Sequence, residues 1–167
     1  MWWICERVIS NTLYTCASAP PQAPYVQDAG GTFLGIFKYN KAMKNIVLCG
    51  SMKVKDKILT VADKLKELGF NVLLPVECME GKPKNIASRA HFKRIIDPKN
   101  EAILIVNETK NDIENYIGPN SFAEAAFGFY FEKKIYLLNE IYEPYQDELE
   151  GWNAIPLHGD LGLIKVK

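Results

Sequence analysis

Glu124 closes the stretch Asn115-Tyr116-Ile117-Gly118-Pro119-Asn120-Ser121-Phe122-Ala123-Glu124, and two kinds of chemistry fit its place there. Ser121-x-x-Glu124 has the form of a capping box, in which the glutamate bonds back to the cap amide at a helix start. A carboxylate in the first helical turn beside a substrate crevice is also well placed to act as a nucleophile. Asn107 ends an apolar run and can either orient a substrate or cap its loop by bonding to backbone. Gly50-Ser51-Met52 follows another apolar run. Glycine there permits close backbone approach, and Ser51 offers a hydroxyl and an amide where a helix start favours an anion. A plain turn with a serine cap accounts for the same residues. Neither GxGxxG nor GxxxxGK[ST] is present, which disfavours ordinary Rossmann dinucleotide enzymes and P-loop NTPases.

These residues need a frame to meet. Residues 45–49 (Asn-Ile-Val-Leu-Cys) form a short apolar run suited to a buried parallel strand. Ile58, Val61, Ala62, Leu65 and Leu68 recur at helical spacing, and Gly69 closes that helix. Residues 70–74 read as a second strand ended by Pro75, residues 76–85 as a polar loop containing Gly81, and 87–96 as a helix. The run 102–106 is apolar without alternation and belongs at a sheet centre. After a loop over 107–120, the spacing predicts a helix over 122–132 with Phe122, Ala125, Ala126 and Phe129 on one side, and then a fourth strand over 135–138. Strands alternating with helices predict an open parallel sheet in a three-layer α/β/α arrangement of flavodoxin or Rossmann type. The simplest order is 2-1-3-4, with room for an extra edge strand. Its crevice lies at the carboxyl ends of strands 1 and 3, where the connections leave in opposite directions.

Composition narrows the partners. The chain has 167 residues, 48% of them hydrophobic, and 20 basic residues balance 20 acidic ones. A broad cationic surface for nucleic acid or an anionic membrane is not indicated, so a small, locally recognised ligand is expected. Four cysteines (Cys5, Cys16, Cys49, Cys78) without CxxC spacing and two histidines give no zinc-ligand pattern, so reduced thiols in a cytoplasmic protein are expected. No apolar run approaches the roughly 18 residues that span a bilayer. Residues 1–42 lack a sustained period and contain Ala17-Ser18-Ala19-Pro20-Pro21-Gln22-Ala23-Pro24, so they read as an extension and 43–167 as one α/β domain, with Met43 a possible natural start. An Ala-Ser-Ala triplet before proline fits a secretory leader, but Glu6 and Arg7 interrupt its apolar stretch.

Glu124 opens the pattern Glu-x-Ala-x-Gly-x-x-x-Glu-Lys, which leads through Lys133 towards Ile135. Together with Gly50-Ser51 and a polar residue ending strand 3, this resembles the nucleoside 2-deoxyribosyltransferase-like superfamily, which includes deoxyribonucleoside monophosphate N-glycosidases. The resemblance covers about residues 44–139. The usual pattern is Glu-x-Gly-x-Ala-x-x-x-Gly-Lys-Pro, so this chain exchanges the small residues at Ala126 and Gly128 and has Glu132 in place of glycine. The resemblance implies cleavage of the bond between a nucleobase and C1′ of deoxyribose, with Glu124 as nucleophile, no metal or organic cofactor, a nucleoside or nucleotide as small-molecule partner, and a homodimer. It implies catalytic roles for Glu124, Asn107 and Tyr116, and substrate contacts from Gly50, Ser51, Met52, Gly118, Asn120 and Ser121. The family often has aspartate where Asn107 stands and an Asp-x-Gly loop where this chain has Tyr116-Ile117-Gly118. Protonation of the leaving base is therefore open among Asp112, Glu114 and Tyr116. A nucleotide-binding sensor that kept the crevice and lost the chemistry is the alternative.

Other residues carry weaker signals. His91 lies among Arg89, Lys93 and Arg94, a cluster that reads as a solvated helix face or as an approach to a 5′-phosphate. His158 reads as a turn residue, and the aromatic and acidic run 142–149 as a lid or dimer contact.

Overall fold

Short apolar runs separated by amphipathic helices produce nine main elements among the described residues, which in the computed structural model are 44–77 and 83–165. The extension over 1–42, the start at Met43, Gly81, and Cys5, Cys16 and Cys78 lie outside the described residues. In chain order the elements are β1 (Lys44–Gly50), α1 (Lys55–Glu67), β2 (Phe70–Leu73), α2 (Lys84–Ile96), β3 (Asn100–Val106), α3 (Pro119–Tyr130), β4 (Lys134–Leu137), α4 (Gln146–Gly151) and β5 (Ile155–Pro156). All strand pairs are parallel, in the order β2-β1-β3-β4-β5, so the doubly wound α/β sheet carries one short edge strand beyond the four core strands. No helix of the described residues is long and apolar enough to cross a membrane.

Strand periodicity sends successive side chains to opposite faces. Ile46 and Leu48 of β1, with Ala102, Leu104 and Val106 of β3, pack with Ile58, Val61, Ala62 and Leu65 of α1. Val47 and Cys49, with Ile103 and Ile105, face the other way and share a second core with Ile95 of α2 and Ala125 of α3. Both faces are covered, which is why the central runs are apolar without alternation. Leu68, expected on the buried stripe of α1, is instead exposed, because it is the residue on which the helix ends. Gly69 follows at φ +87°, the left-handed conformation that glycine takes at a helix end without a Cβ penalty.

The start of α3 corrects the capping reading. Gly118 is the N-cap, Pro119 occupies the first helical position, and no side chain caps this end. Proline is favoured there because its φ is preset and its missing N–H would be unpaired anyway. Ser121 is therefore buried inside the helix, and Glu124 lies in the second turn, out of reach of a capping box. The expected stripe of Phe122, Ala125, Ala126 and Phe129 is corrected as well. The buried residues are Ser121, Ala125 and Gly128, small enough to let α3 approach the sheet closely. Phe129 is half exposed and stacks on Trp152, while Phe122 stacks on Tyr145 at 4.1 Å between ring centres.

The other end of α3 is a Schellman turn: the Lys133 amide donates to the Gly128 carbonyl at 2.8 Å, and the Glu132 amide donates to that of Phe129 at 3.0 Å. Glu132 consequently holds φ at +55°, where glycine is the usual occupant. The Lys133 ammonium reaches back 2.8 Å to the Asp97 carbonyl and ties this turn to the one after α2. The run 142–149 forms a short 3-10 turn and the start of α4, seated by the fully buried Leu149 and the partly buried Tyr142 and Tyr145.

Candidate functional site

The fold opens a crevice where β1 and β3 lie side by side and their connections diverge. Gly50 pairs with Val106 at the carboxyl ends of these strands. A Cβ on Gly50 would lie 3.3 Å from both the Val106 carbonyl oxygen and the Ile58 Cδ1, so a side chain there is crowded from two directions. Beyond this point lies a cavity of about 310 Å³, lined by the loop after β1, the inner face of α2, Tyr116 and the first turns of α3. Gly50, Ser51, Met52, Tyr116, Gly118, Asn120, Ser121 and Glu124, all singled out in the sequence, line this one cavity.

Three side chains meet beneath it. Cys49 points to the face of the sheet that carries α2 and α3, His91 comes from α2, and Glu124 from α3. His91 Nε2 lies 3.5 Å from Cys49 Sγ and 3.6 Å from Glu124 Oε1. Burial pushes the Glu124 carboxyl up to about 7, with a hydrogen bond from Cys49 opposing the rise. Burial, aided by the Glu124 charge, raises the Cys49 thiol well above its ordinary value. Burial and the neighbouring Arg94 charge lower His91 to about 4, so the imidazole is neutral at pH 7 and its contact with Glu124 is not an ion pair. Glu124 Oε2 and His91 Nδ1 are buried without a hydrogen-bond partner.

His91 overturns the solvated-face reading. It is 4% exposed and shares the inner stripe of α2 with Ile95, four residues on, while Arg89 and Lys93 point outward. The expectation failed because the basic neighbours suggested a polar face, whereas the His91-x-x-x-Ile95 spacing marks the buried one.

Asn107 lies outside the cavity lining. Fully buried, it donates from Nδ2 to the Glu140 carbonyl at 2.7 Å, and its Oδ1 accepts from the Asn139 amide at 3.0 Å. It clamps the loops after β3 and β4 together. Asn107→Ala is expected to destabilise the fold by about 1–3 kcal/mol, the cost of leaving buried partners unpaired, while the folded fraction keeps its ligand affinity. Thermal melting together with calorimetric titration checks both halves. Asp112 and Glu114 do not line the cavity, so of the three acids considered for the leaving base only Tyr116 does. The Tyr116 ring has Lys110 Nζ 4.5 Å from its centre and meets Tyr142 edge-on at 5.6 Å. His158 is an exposed turn residue in contact with Glu140.

Ser51 Oγ accepts from the Lys53 amide at 3.4 Å and caps a 3-10 turn, and α1 begins only at Lys55. The cavity's formal cations among its described lining residues are Lys84, at the start of α2, and Lys110, in the loop after β3. Comparison with protein-family models, curated proteins and solved structures found no match to this chain.

Proposed function

We propose that this protein cleaves the N-glycosidic bond of a nucleoside or nucleotide, or transfers its deoxyribosyl group, through a covalent intermediate on Glu124. One observation carries the reading. Glu124 is the sole carboxylate among the described lining residues of the switch-point cavity, it has no capping duty, and one of its oxygens lacks any hydrogen bond. Glu124 is thus the carboxylate that the described cavity lining offers for attack on C1′. The C1′–N bond breaks, its electron pair leaves with the base, which takes a proton, and water or a second base then displaces Glu124 from C1′. Tyr116, the hydroxyl-bearing ring on the cavity wall, is the group available to the leaving base.

The family resemblance supports the same reading at Glu132. Where the family pattern has glycine, this chain turns at a positive φ that glycine adopts without strain. A homodimer belongs to the proposal too: the resembling enzymes often complete their sites with a neighbouring subunit, and the end of α3 with its C-cap residue exposes Phe127, Phe129, Tyr130 and Phe131. A cytoplasmic setting fits Cys49, which is a free thiol.

Incubation with deoxynucleosides and with their monophosphates, followed by chromatography for free base, tests the activity. Lys84, Lys110 and Ser51 are the groups suited to a 5′-phosphate, so monophosphates are expected to bind more tightly than the matching nucleosides. Ser51→Ala should reduce that preference about fivefold, the ~1 kcal/mol of one hydrogen bond. Equal affinities in the parent protein would remove the phosphate from the proposal. The sensor reading draws on the lack of a second carboxylate among the described lining residues. Tight monophosphate binding with no base released would favour it.

A further inference from the structure

Cys49, His91 and Glu124 have a second chemistry available to them. One ligand atom from each, a thiol sulfur, an imidazole nitrogen and a carboxylate oxygen, lies within 4.8 Å of the other two. Zn²⁺ bound tetrahedrally, with a Zn–S distance of ~2.3 Å and Zn–N and Zn–O distances of ~2.0–2.1 Å, holds its ligand atoms about 3.3–3.6 Å apart. The nitrogen here is 3.5 Å from the sulfur and 3.6 Å from the oxygen. The second separation is too long for a hydrogen bond, which for N–H···O spans ~2.7–3.2 Å. It matches two ligands sharing one ion.

Charge and burial point the same way. Buried polar atoms are normally paired, yet Glu124 Oε2 is not, and the Glu124 side chain is only 14% exposed. A thiolate and a carboxylate neutralise a divalent cation, and a neutral imidazole completes the set at no charge, so the loaded cluster is neutral where an isolated charge would be costly. Sulfur together with nitrogen selects the zinc class over magnesium or calcium. His91 and Glu124 line the cavity, which supplies an entry path.

We propose that Cys49, His91 and Glu124 form a binding site for one zinc-class divalent cation. Binding forms the metal–sulfur bond and releases the thiol proton to solvent. The ion and C1′ of a sugar compete for the same carboxylate, so the metal opposes the reaction proposed above and is not its cofactor.

The test uses the full reduced chain, stripped with chelator and titrated with Co²⁺, whose bond to a thiolate absorbs in the near ultraviolet. This readout is independent of any glycosidase activity. The absorption should saturate at one equivalent per chain, collapse on adding one equivalent of Zn²⁺, and disappear in Cys49→Ser. Glu124→Gln, which keeps the side chain's size, should weaken Co²⁺ binding more than tenfold, and it serves as the decisive variant if Cys49→Ser fails to fold. No thiolate absorption at millimolar Co²⁺ would overturn the proposal. So would absorption undiminished in Cys49→Ser, or unchanged affinity in Glu124→Gln.

Discussion

Glu124→Gln is expected to abolish base release, by about 10³-fold or more, while leaving the melting temperature within a few degrees of the parent. The two halves follow from different facts. An amide oxygen is too weak a nucleophile to displace a nucleobase from C1′, and no other carboxylate among the described lining residues can substitute. Stability is spared because Glu124 caps nothing and its carboxyl, pushed up to about 7 by burial, already spends much of its time uncharged. Glutamine is close to its protonated form in size and polarity. Chromatographic measurement of free base, paired with a melting curve, reads both. Turnover at the parent rate in Glu124→Gln would exclude the covalent mechanism, and a large loss of stability would show the carboxyl to be structural.

Gly128→Val should produce the largest loss of stability. A Cβ built on Gly128 would lie 2.5 Å from Cδ1 and 3.3 Å from Cγ1 of Ile103, a fully buried residue of the central strand. Valine adds two further methyls to that contact, so either Ile103 leaves its rotamer or α3 lifts from the sheet. Overpacking of this kind costs about 1–3 kcal/mol, and Gly128→Val belongs at the upper end. Gly151 provides the control, because a Cβ there meets nothing within 4 Å. Gly151→Ala should be neutral or stabilise by up to ~1 kcal/mol, reflecting helix propensity alone. Denaturant unfolding of both variants makes the comparison. A Gly128→Val protein as stable as the parent would mean that α3 sits farther from Ile103 than a 2.5 Å Cβ contact implies.

The two glycines also mark what local pattern could and could not reveal. β1, α1 and β3 were legible because each has a long, unambiguous run: Ile46 to Cys49 and Ala102 to Val106 are apolar throughout, and α1 repeats at helical spacing. The start of α3 was not, because Ser121-x-x-Glu124 imitates a capping box while Gly118-Pro119 three residues earlier sets the true start. Glu124 was found for its chemistry, and its depth in the second turn came only with the fold. Cys49 was missed as a site residue, and His91 was read as a solvated face or a phosphate approach and not as Glu124's neighbour, because their meeting is non-local. Cys49 lies 42 residues before His91, which lies 33 before Glu124, and only the topology brings β1, α2 and α3 to one face of the sheet. Asn107 was legible as a strand-end polar residue with two possible duties. The partners that decide between them, Asn139 and Glu140, follow a different strand.

The most direct test of Glu124 as nucleophile is to trap the glycosyl-enzyme itself. The protein is mixed with a deoxynucleoside monophosphate, quenched in acid within the turnover time, digested and mapped by mass spectrometry. A deoxyribosyl phosphate adduct is expected on the peptide containing Glu124, with no adduct in Glu124→Gln. Base released at full rate by the parent protein, with the sugar attached to another residue or the Glu124→Gln protein equally active, would contradict it.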